Sequence, residues 1–439
     1  MKITLFPSDK GDCLLLTARD GATLLADGGM RDSYIDHVRP FWKKWAGNGN
    51  AGGGGTIDLV YVSHIDQDHI AGVLQMMDDL VAWRVYEHRK GEGWPRPDFP
   101  RPPTPRAIWH NAFHEQIGRN SGAIESMLAA SAAALSNSAS KAVRALAVEY
   151  RTIATSIPEA IRLSRRVSPG QLGIPLNKPF KGKLAMVREG QKPTRLGSMK
   201  LTVIGPFEED LKKLRGEWNK WLQEHRKQLQ ELKRRAEDDE GLLGTAATVG
   251  GVPAPLALDV DDELGDRGRV TAPNLASLML LVEEDGRRVV LTGDAHHREI
   301  AEGLRRAKVL PGDADGEGGG HVDVLKVQHH GAEYNINRAF ARRLTADHYV
   351  FCGNGEHENP DLRVVQVLAE SRIGKPQHRS PNAEAGRPFK FWFNSSSTFP
   401  GADRGQMKKI EDQVKSFAQQ SGGRMEFAFF KNGPLELDL

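Results

Sequence analysis

Cysteine is scarce: the 439 residues hold two, Cys13 and Cys352. Two thiols cannot build a disulfide framework, so a cytoplasmic location is expected. Long apolar runs are missing as well. No stretch of about 18 consecutive apolar residues occurs, which leaves no membrane-spanning helix to expect. The opening residues, Met1-Lys2-Ile3-Thr4-Leu5-Phe6, read as a strand and lack the apolar core and cleavage site of a secretory signal. Charge of one sign is in short supply too. The net charge of +3 is a mild basic excess and no nucleic-acid footprint in itself. No Gly-x-Ser-x-Gly elbow and no catalytic-cysteine motif appears, so a protein nucleophile is not the expected chemistry. There is no internal repeat.

The chain does hold a globular composition, 39% hydrophobic and 27% charged. Its length suits one large domain with insertions, or two domains. Short apolar runs at Lys2–Phe6, Cys13–Thr17 and Thr23–Ala26, separated by Gly11-Asp12 and Asp20-Gly21, predict a β-meander. Residues 31–46 look helical, and Gly47–Gly55 reads as a glycine-rich loop. Ile57–Val62 predicts a buried strand, Ile70–Leu80 a helix, and Ala107–Trp109 a short strand. The Ala/Ser-rich stretch 115–165 and the charged stretch 208–238 are helical in composition. Strand signals return at Ala276–Val282, Arg288–Thr292, Val322–Val327, His348–Cys352 and Phe389–Phe393. A helix near 404–419 and a final strand pair, Met425–Phe430 and Leu435–Leu437, close the chain. The expectation is two β-rich halves, 1–114 and 274–439, around a mostly helical insertion at 115–240 and a flexible connection at 241–273.

The chemistry concentrates in Ser63-His64-Ile65-Asp66-Gln67-Asp68-His69, directly after the buried strand. Four metal-competent side chains in six residues exceed what a structural loop needs. Imidazole and carboxylate donors suit zinc, manganese or iron. Asp68 and His69 are adjacent and cannot easily share one ion with His64 and Asp66. Two ions are therefore expected, one on His64 and Asp66, the other on Asp68 and His69.

This run resembles the HxHxDH signature of metallo-β-lactamase-fold hydrolases, with Asp66 in place of the second histidine. The variant is similar to the hydrolase domain of the bacterial competence (DNA-uptake channel) family. Further pieces match in order: Gly11-Asp12-Cys13, Leu25-Ala26-Asp27-Gly28-Gly29, Leu291-Thr292-Gly293-Asp294-Ala295, Leu325-Lys326-Val327-Gln328-His329-His330-Gly331, and Gly353-Asn354-Gly355-Glu356-His357-Glu358-Asn359-Pro360. The resemblance implies an α/β metallo-β-lactamase αββα sandwich with a helical insertion. It implies Asp294 as a bridging ligand and His330 as the last ligand. His329 remains the adjacent candidate, since on a strand the two rings would face opposite ways. Asp27 is expected to orient the ligand loop. Where many members have another histidine, this chain has Asn274. His110 is a candidate substitute for it.

The implied cofactors are two divalent metal ions, zinc or manganese with magnesium as a further option. They would activate a shared water near neutral pH, with Asp68 accepting its proton and His357 meeting the leaving group or an oxyanion. The resemblance implies a phosphodiesterase or nuclease. Arg96, Arg101 and Arg106 near Trp94, and Arg162, Arg165 and Arg166, are candidates to track a nucleic-acid backbone. Two other readings stay open. One is a metallohydrolase for a small ester, lactone or thioester. The other is an effector or interaction subunit of a multi-gene bacterial system, anti-phage defence included, with a protein partner docked on 115–240.

Overall fold

Short runs of leucine and β-branched residues become sixteen strands in the computed structural model, which describes residues 1–45, 55–111, 159, 162–209, 211–212, 264–267, 270, 272–312 and 318–439. They are β1 (Lys2–Leu5), β2 (Leu14–Thr17), β3 (Thr23–Ala26), β4 (Thr56–Ile57), β5 (Leu59–Val62), β6 (Thr104–Pro105), β7 (Ile108–His110), β8 (Thr194–Leu196), β9 (Met199–Gly205), β10 (Met279–Glu284), β11 (Arg287–Leu291), β12 (Gly320–Lys326), β13 (Leu344–Phe351), β14 (Phe389–Phe393), β15 (Met425–Phe429) and β16 (Leu435–Asp438). A six-stranded sheet has the order β16-β1-β2-β3-β5-β7, and an eight-stranded sheet the order β15-β14-β13-β12-β11-β10-β9-β8. Both are mixed. In the first, β3, β5 and β7 are parallel neighbours, and in the second, β11 to β15 are.

The sheets face each other across one core. Leu5, Leu14, Leu16, Leu24, Leu59 and Tyr61 of the first sheet meet Leu201, Val203, Leu280, Val289, Val324 and Val350 of the second. The opposite face of the first sheet buries Leu15, Leu25, Val60 and Val62 against helix α1 (Gln67–Arg89) and the helical stretch 31–44. Its apolar stripe is Ile70, Val73, Leu74, Met77 and Leu80, at the three- and four-residue steps of a helix face. Each such side chain contributes about 1.5–3 kcal/mol on burial. The outer face of the second sheet is covered by α2 (His297–Arg306), α3 (Arg338–Arg343), α4 (Leu362–Ile373) and α5 (Arg404–Gln420). The layer order is therefore helix, sheet, sheet, helix. Among the described residues no helix is long and apolar enough to cross a membrane.

Two expectations change. Residues 194–205, assigned by sequence to a mostly helical insertion, supply β8 and β9 to the second sheet. Met199, Leu201 and Val203 point into the core while Lys200 is exposed, a two-residue alternation that a helix cannot use. The closing strands do not pair with each other either. β15 lies parallel to β14 in one sheet, and β16 antiparallel to β1 in the other. Each completes an edge that a hairpin would leave open. The Gly47–Gly55 loop, the helices expected at 115–165 and 208–238, and the connection at 241–273 lie wholly or mostly outside the described residues.

One close approach fixes the start of α1. The Gly28 amide donates to the His69 carbonyl at 2.9 Å, and the Gly72 amide to the Gly29 carbonyl at 3.0 Å. A Cβ on Gly72 would fall 1.9 Å from the Gly28 oxygen. Gly72→Ala must therefore push the helix off the turn. We expect a loss of about 1–3 kcal/mol in chemical denaturation, with weaker ion binding by displaced Asp68 and His69. Unchanged stability would contradict this packing.

Candidate metal centre

The site forms where parallel strands end. His64 and Asp66 follow β5, Asp294 follows β11, and His329 and His330 follow β12. Asp68 and His69 belong to the first turn of α1. A sharp Gly293, at φ +52°, turns the chain after β11, and the following Asp294 amide donates to Ser277 Oγ at 3.2 Å.

His69 and His330 bring their Nε2 atoms within 3.3 Å of each other. Asp294 Oδ1 lies 3.3 Å from His69 Nε2, Asp294 Oδ2 lies 3.3 Å from His330 Nε2, and Asp68 Oδ2 lies 3.2 Å from His330 Nε2. Ligand bonds of about 2.0–2.2 Å around a tetrahedral ion place neighbouring donors about 3.3–3.6 Å apart. These donors fit a metal ion on chemistry and spacing alike. A second group shares Asp294: His64 Nε2 is 3.5 Å from Asp66 Oδ2 and 3.8 Å from Asp294 Oδ2. His64 Nε2, Asp66 Oδ1 and Asp294 Oδ1 are buried without a hydrogen bond among the described residues. Such atoms are costly to desolvate unless something satisfies them, and a cation does.

The surrounding groups hold the ligands in place. Asp27, at φ +56°, accepts the Ser63 amide at 2.7 Å and the Ser63 hydroxyl at 2.7 Å, and its Oδ2 lies 3.0 Å from His69 Nδ1. With Nδ1–H committed there, Nε2 keeps its lone pair for an ion. Asp12 does the like for the second ring, with Oδ1 3.2 Å from His330 Nδ1. Its other oxygen is paired with the ammonium of Lys326, which also donates to the Gly293 carbonyl at 3.0 Å and lies 3.6 Å from Asp294 Oδ1. Asp12, His69, Asp294 and His330 all offer donor atoms within 4.8 Å of one another. Asp12 Oδ2 pairs with Lys326 while its Oδ1 faces His330 Nδ1 without a hydrogen bond among the described residues, so we count it as a positioning group.

Charge sets the titration of this cluster. Burial alone would lower His69 and His330, but the surrounding carboxylates, Asp294 foremost, hold both well above the ordinary histidine range. Burial would raise Asp294, yet His330, His69, His329 and His64 hold it well below the ordinary carboxylate range. Asp12 is lowered against burial by Lys326 and the same rings, and Lys326 is raised against burial by Asp12 and Asp294.

The layer order and the position of this cluster decide the architecture. The fold is an αββα sandwich, the architecture that the metallo-β-lactamase resemblance implied. No protein-family model matches the chain, and no curated protein does. Among solved structures it is similar to zinc-bound PqqB from Methylobacterium extorquens, at 11% identity over 100% of both chains with a TM-score of 0.32. It is also similar to a mutant of the CmlA β-hydroxylase, at 12% identity over 100% of this chain and 54% of that one, with a TM-score of 0.33. Likenesses of this size carry nothing about substrate or mechanism.

The other sequence candidates fall as follows. His329 and His330 do not sit on a strand: both have positive φ, 46° and 55°, in a tight turn after β12. The alternate-face argument therefore lapses. Both rings reach Asp294, His329 Nε2 at 3.7 Å from Oδ2. His110 ends β7, where Asn177 bonds its backbone amide and carbonyl at 2.9 and 2.8 Å, and it is not in the converging group. Asn274 is buried one turn before Ser277. His357 is exposed on the Glu356–Glu358 turn, where burial of its ring and Lys10 lower its pKa while Asp68 raises it. Cys13 and Cys352 are buried, and burial raises both thiols. The arginines are largely spoken for. Arg101 pairs with Glu87 at 2.5 Å, Arg106 with Asp58 at 3.0 Å, and Arg162 and Arg166 with Asp78 at 2.6 and 2.7 Å. Arg96 lies over the Trp83 ring.

Asp12, Lys326, Ser277 and Asn335 were not among the candidates. Lys326 carried a usable signal, a lone cation inside the apolar run Val322-Asp323-Val324-Leu325-Lys326-Val327. A lysine there must find a buried partner.

Proposed function

We propose that this chain is a two-ion hydrolase that cleaves phosphodiesters. The observation that carries two ions is charge. Asp12, Asp27, Asp66, Asp68 and Asp294 crowd into one cluster against the Lys326 ammonium, an excess of carboxylate that draws the His69 and His330 rings toward protonation unless cations take the place of those protons. Isolated buried charge is prohibitive, and two divalent cations balance it. One ion would rest on His64, Asp66 and Asp294, the other on Asp68, His69, Asp294 and His330. Such a pair lowers the pKa of a shared water and stabilises charge on the scissile group.

The chain's own residues do the rest. Asp294 holds the pair together, and Asp27 and Asp12 fix the two rings that carry the second ion. Asp68 is the most open of the cluster carboxylates, with a side chain 13% exposed against 3% for Asp294, and would be the one placed to accept a proton from an attacking water. His357, whose pKa partial burial and Lys10 lower, would donate a hydrogen bond to the departing oxygen. We expect His357→Ala to lower kcat/KM about tenfold and His357→Gln to recover part of it, read on a model diester. Loss of a protonation limb in the pH profile would show instead that His357 supplies an acid proton.

Support for a phosphodiester comes from the first ion's oxygen-rich donors, with Asp66 and Asn274 where nitrogen is often found. Hard donors favour manganese or magnesium, ions that prefer phosphate oxygens. The backbone of DNA or RNA is the proposed source of that group, as the motif resemblance to competence hydrolases suggests. One observation favours a second reading, a small-molecule ester, lactone or thioester: four of the six arginines that could track a backbone, Arg101, Arg106, Arg162 and Arg166, are paired with carboxylates. The test is hydrolysis of single- and double-stranded DNA, RNA, bis(p-nitrophenyl) phosphate, a lactone and a thioester with Mn²⁺, Zn²⁺ or Mg²⁺. Diester cleavage lost in Asp66→Ala/Asp68→Ala is the expected result. Tight ion binding without diester cleavage would overturn it.

A further inference from the structure

The two groups of donors are unequal. Asp68, His69, Asp294 and His330 give the second ion four, whereas His64, Asp66 and Asp294 give the first three, with one nitrogen among them. Besides His64, His69 and His330, a fourth imidazole stands beside Asp294. His329 Nε2 lies 3.7 Å from Asp294 Oδ2, nearly the 3.8 Å at which His64 Nε2 approaches the same atom.

The ring of His329 is held for a purpose that chain packing does not need. Its Nδ1 lies 2.7 Å from Oδ1 of Asn335, a fully buried side chain. The orientation of that carboxamide is forced, because its Nδ2 donates to the Asp294 carbonyl at 2.9 Å and the Ala295 carbonyl at 3.3 Å. Two carbonyls can only be met by the amino end, so the oxygen faces His329. An oxygen acceptor at Nδ1 places the ring's proton there and leaves the Nε2 lone pair toward Asp294. The His329 amide donates to the Gly293 carbonyl at 3.1 Å, and the Gln328 side chain donates to the Asn335 carbonyl at 3.0 Å. The backbone at φ 46° is a conformation a histidine rarely adopts without such support. The ring is 23% exposed, so it borders the open side of the cluster.

We propose that His329 is the fourth protein ligand of the first ion, and that Asn335 sets the tautomer that lets it bind. The proposal rests on the two-ion reading above. It gives the first ion a second nitrogen, which Asn274 does not supply.

Cobalt(II) tests it apart from activity, since its absorption reports donor number and type. Wild-type protein is titrated with Co²⁺ by calorimetry and by absorption, and counted by native mass spectrometry. His329→Ala should weaken one of two Co²⁺ sites by about 10–100-fold or more and shift its spectrum, leaving the other unchanged. His330→Ala should weaken the other site. Asn335→Leu, which removes the acceptor at Nδ1, should weaken and shift the same site as His329→Ala. His329→Ala with two Co²⁺ bound at wild-type affinity and an unchanged spectrum would overturn the proposal. Wild-type protein that binds no Co²⁺ would overturn the two-ion reading itself, so the two failures are distinct.

Discussion

Asp294→Asn should remove both ions and lower diester cleavage by about a thousandfold or more, with the fold intact. The side chain keeps its shape and one oxygen, and its backbone bonds to Ser277 and Asn335 do not depend on the charge. What disappears is the carboxylate that every nitrogen of the site approaches: His69 through Oδ1, and His64, His329 and His330 through Oδ2. An amide cannot give an anionic oxygen to both sides at once. Asp66→Asn is the comparison, because among the described residues the Asp66 carboxylate pairs with His64 and with no other ring of this cluster. It should weaken one ion and spare the other. If Asp294→Asn lost one ion and kept the second at wild-type affinity, the shared role would be wrong.

Lys326→Met should be the most destabilising single change around the site, by about 3–5 kcal/mol in chemical denaturation. The ammonium is 2% exposed and serves Asp12, Asp294 and the Gly293 carbonyl. Removing it strands the buried Asp12 carboxylate. The double variant Lys326→Met/Asp12→Asn removes both charges and should recover most of the lost stability. It should not recover function. Without the Asp12 carboxylate, His330 loses the anion beside Nδ1, and affinity for the second ion should fall about 10–100-fold. The pair thus separates two effects of one contact: burial of charge sets stability, and orientation of His330 sets ion binding. Equal stability of single and double variants would mean that Asp12 is not stranded and that the strut is unimportant.

Much of this was legible in the sequence because it is local. His64, Asp66, Asp68 and His69 lie within six residues after an all-apolar strand, so their convergence needs only a turn and the start of a helix. Strands such as Phe389–Phe393 are read from apolar runs that no helix face explains. Parts that depend on distant partners were not legible. Asp12 looks like a turn residue until Lys326 and His330 arrive from β12 and its turn. Asn335 is one asparagine in a loop until its amide meets the Asp294 and Ala295 carbonyls. The His329–His330 pair was expected to alternate across a strand, and its positive φ values show that the strand has already ended at Lys326. β8 and β9 were missed because the alternation Met199, Leu201, Val203 sits beside long stretches of helical composition.

The central claim is that one buried cluster holds two ions across Asp294. Anomalous diffraction from crystals grown with Mn²⁺ or Zn²⁺ tests it most directly. Two peaks about 3.5–4 Å apart are expected, one beside His64 and Asp66, the other beside Asp68, His69 and His330, with the Asp294 carboxylate between them. An absence of anomalous density in this cluster at saturating metal, or ions bound only elsewhere on the protein, would contradict it.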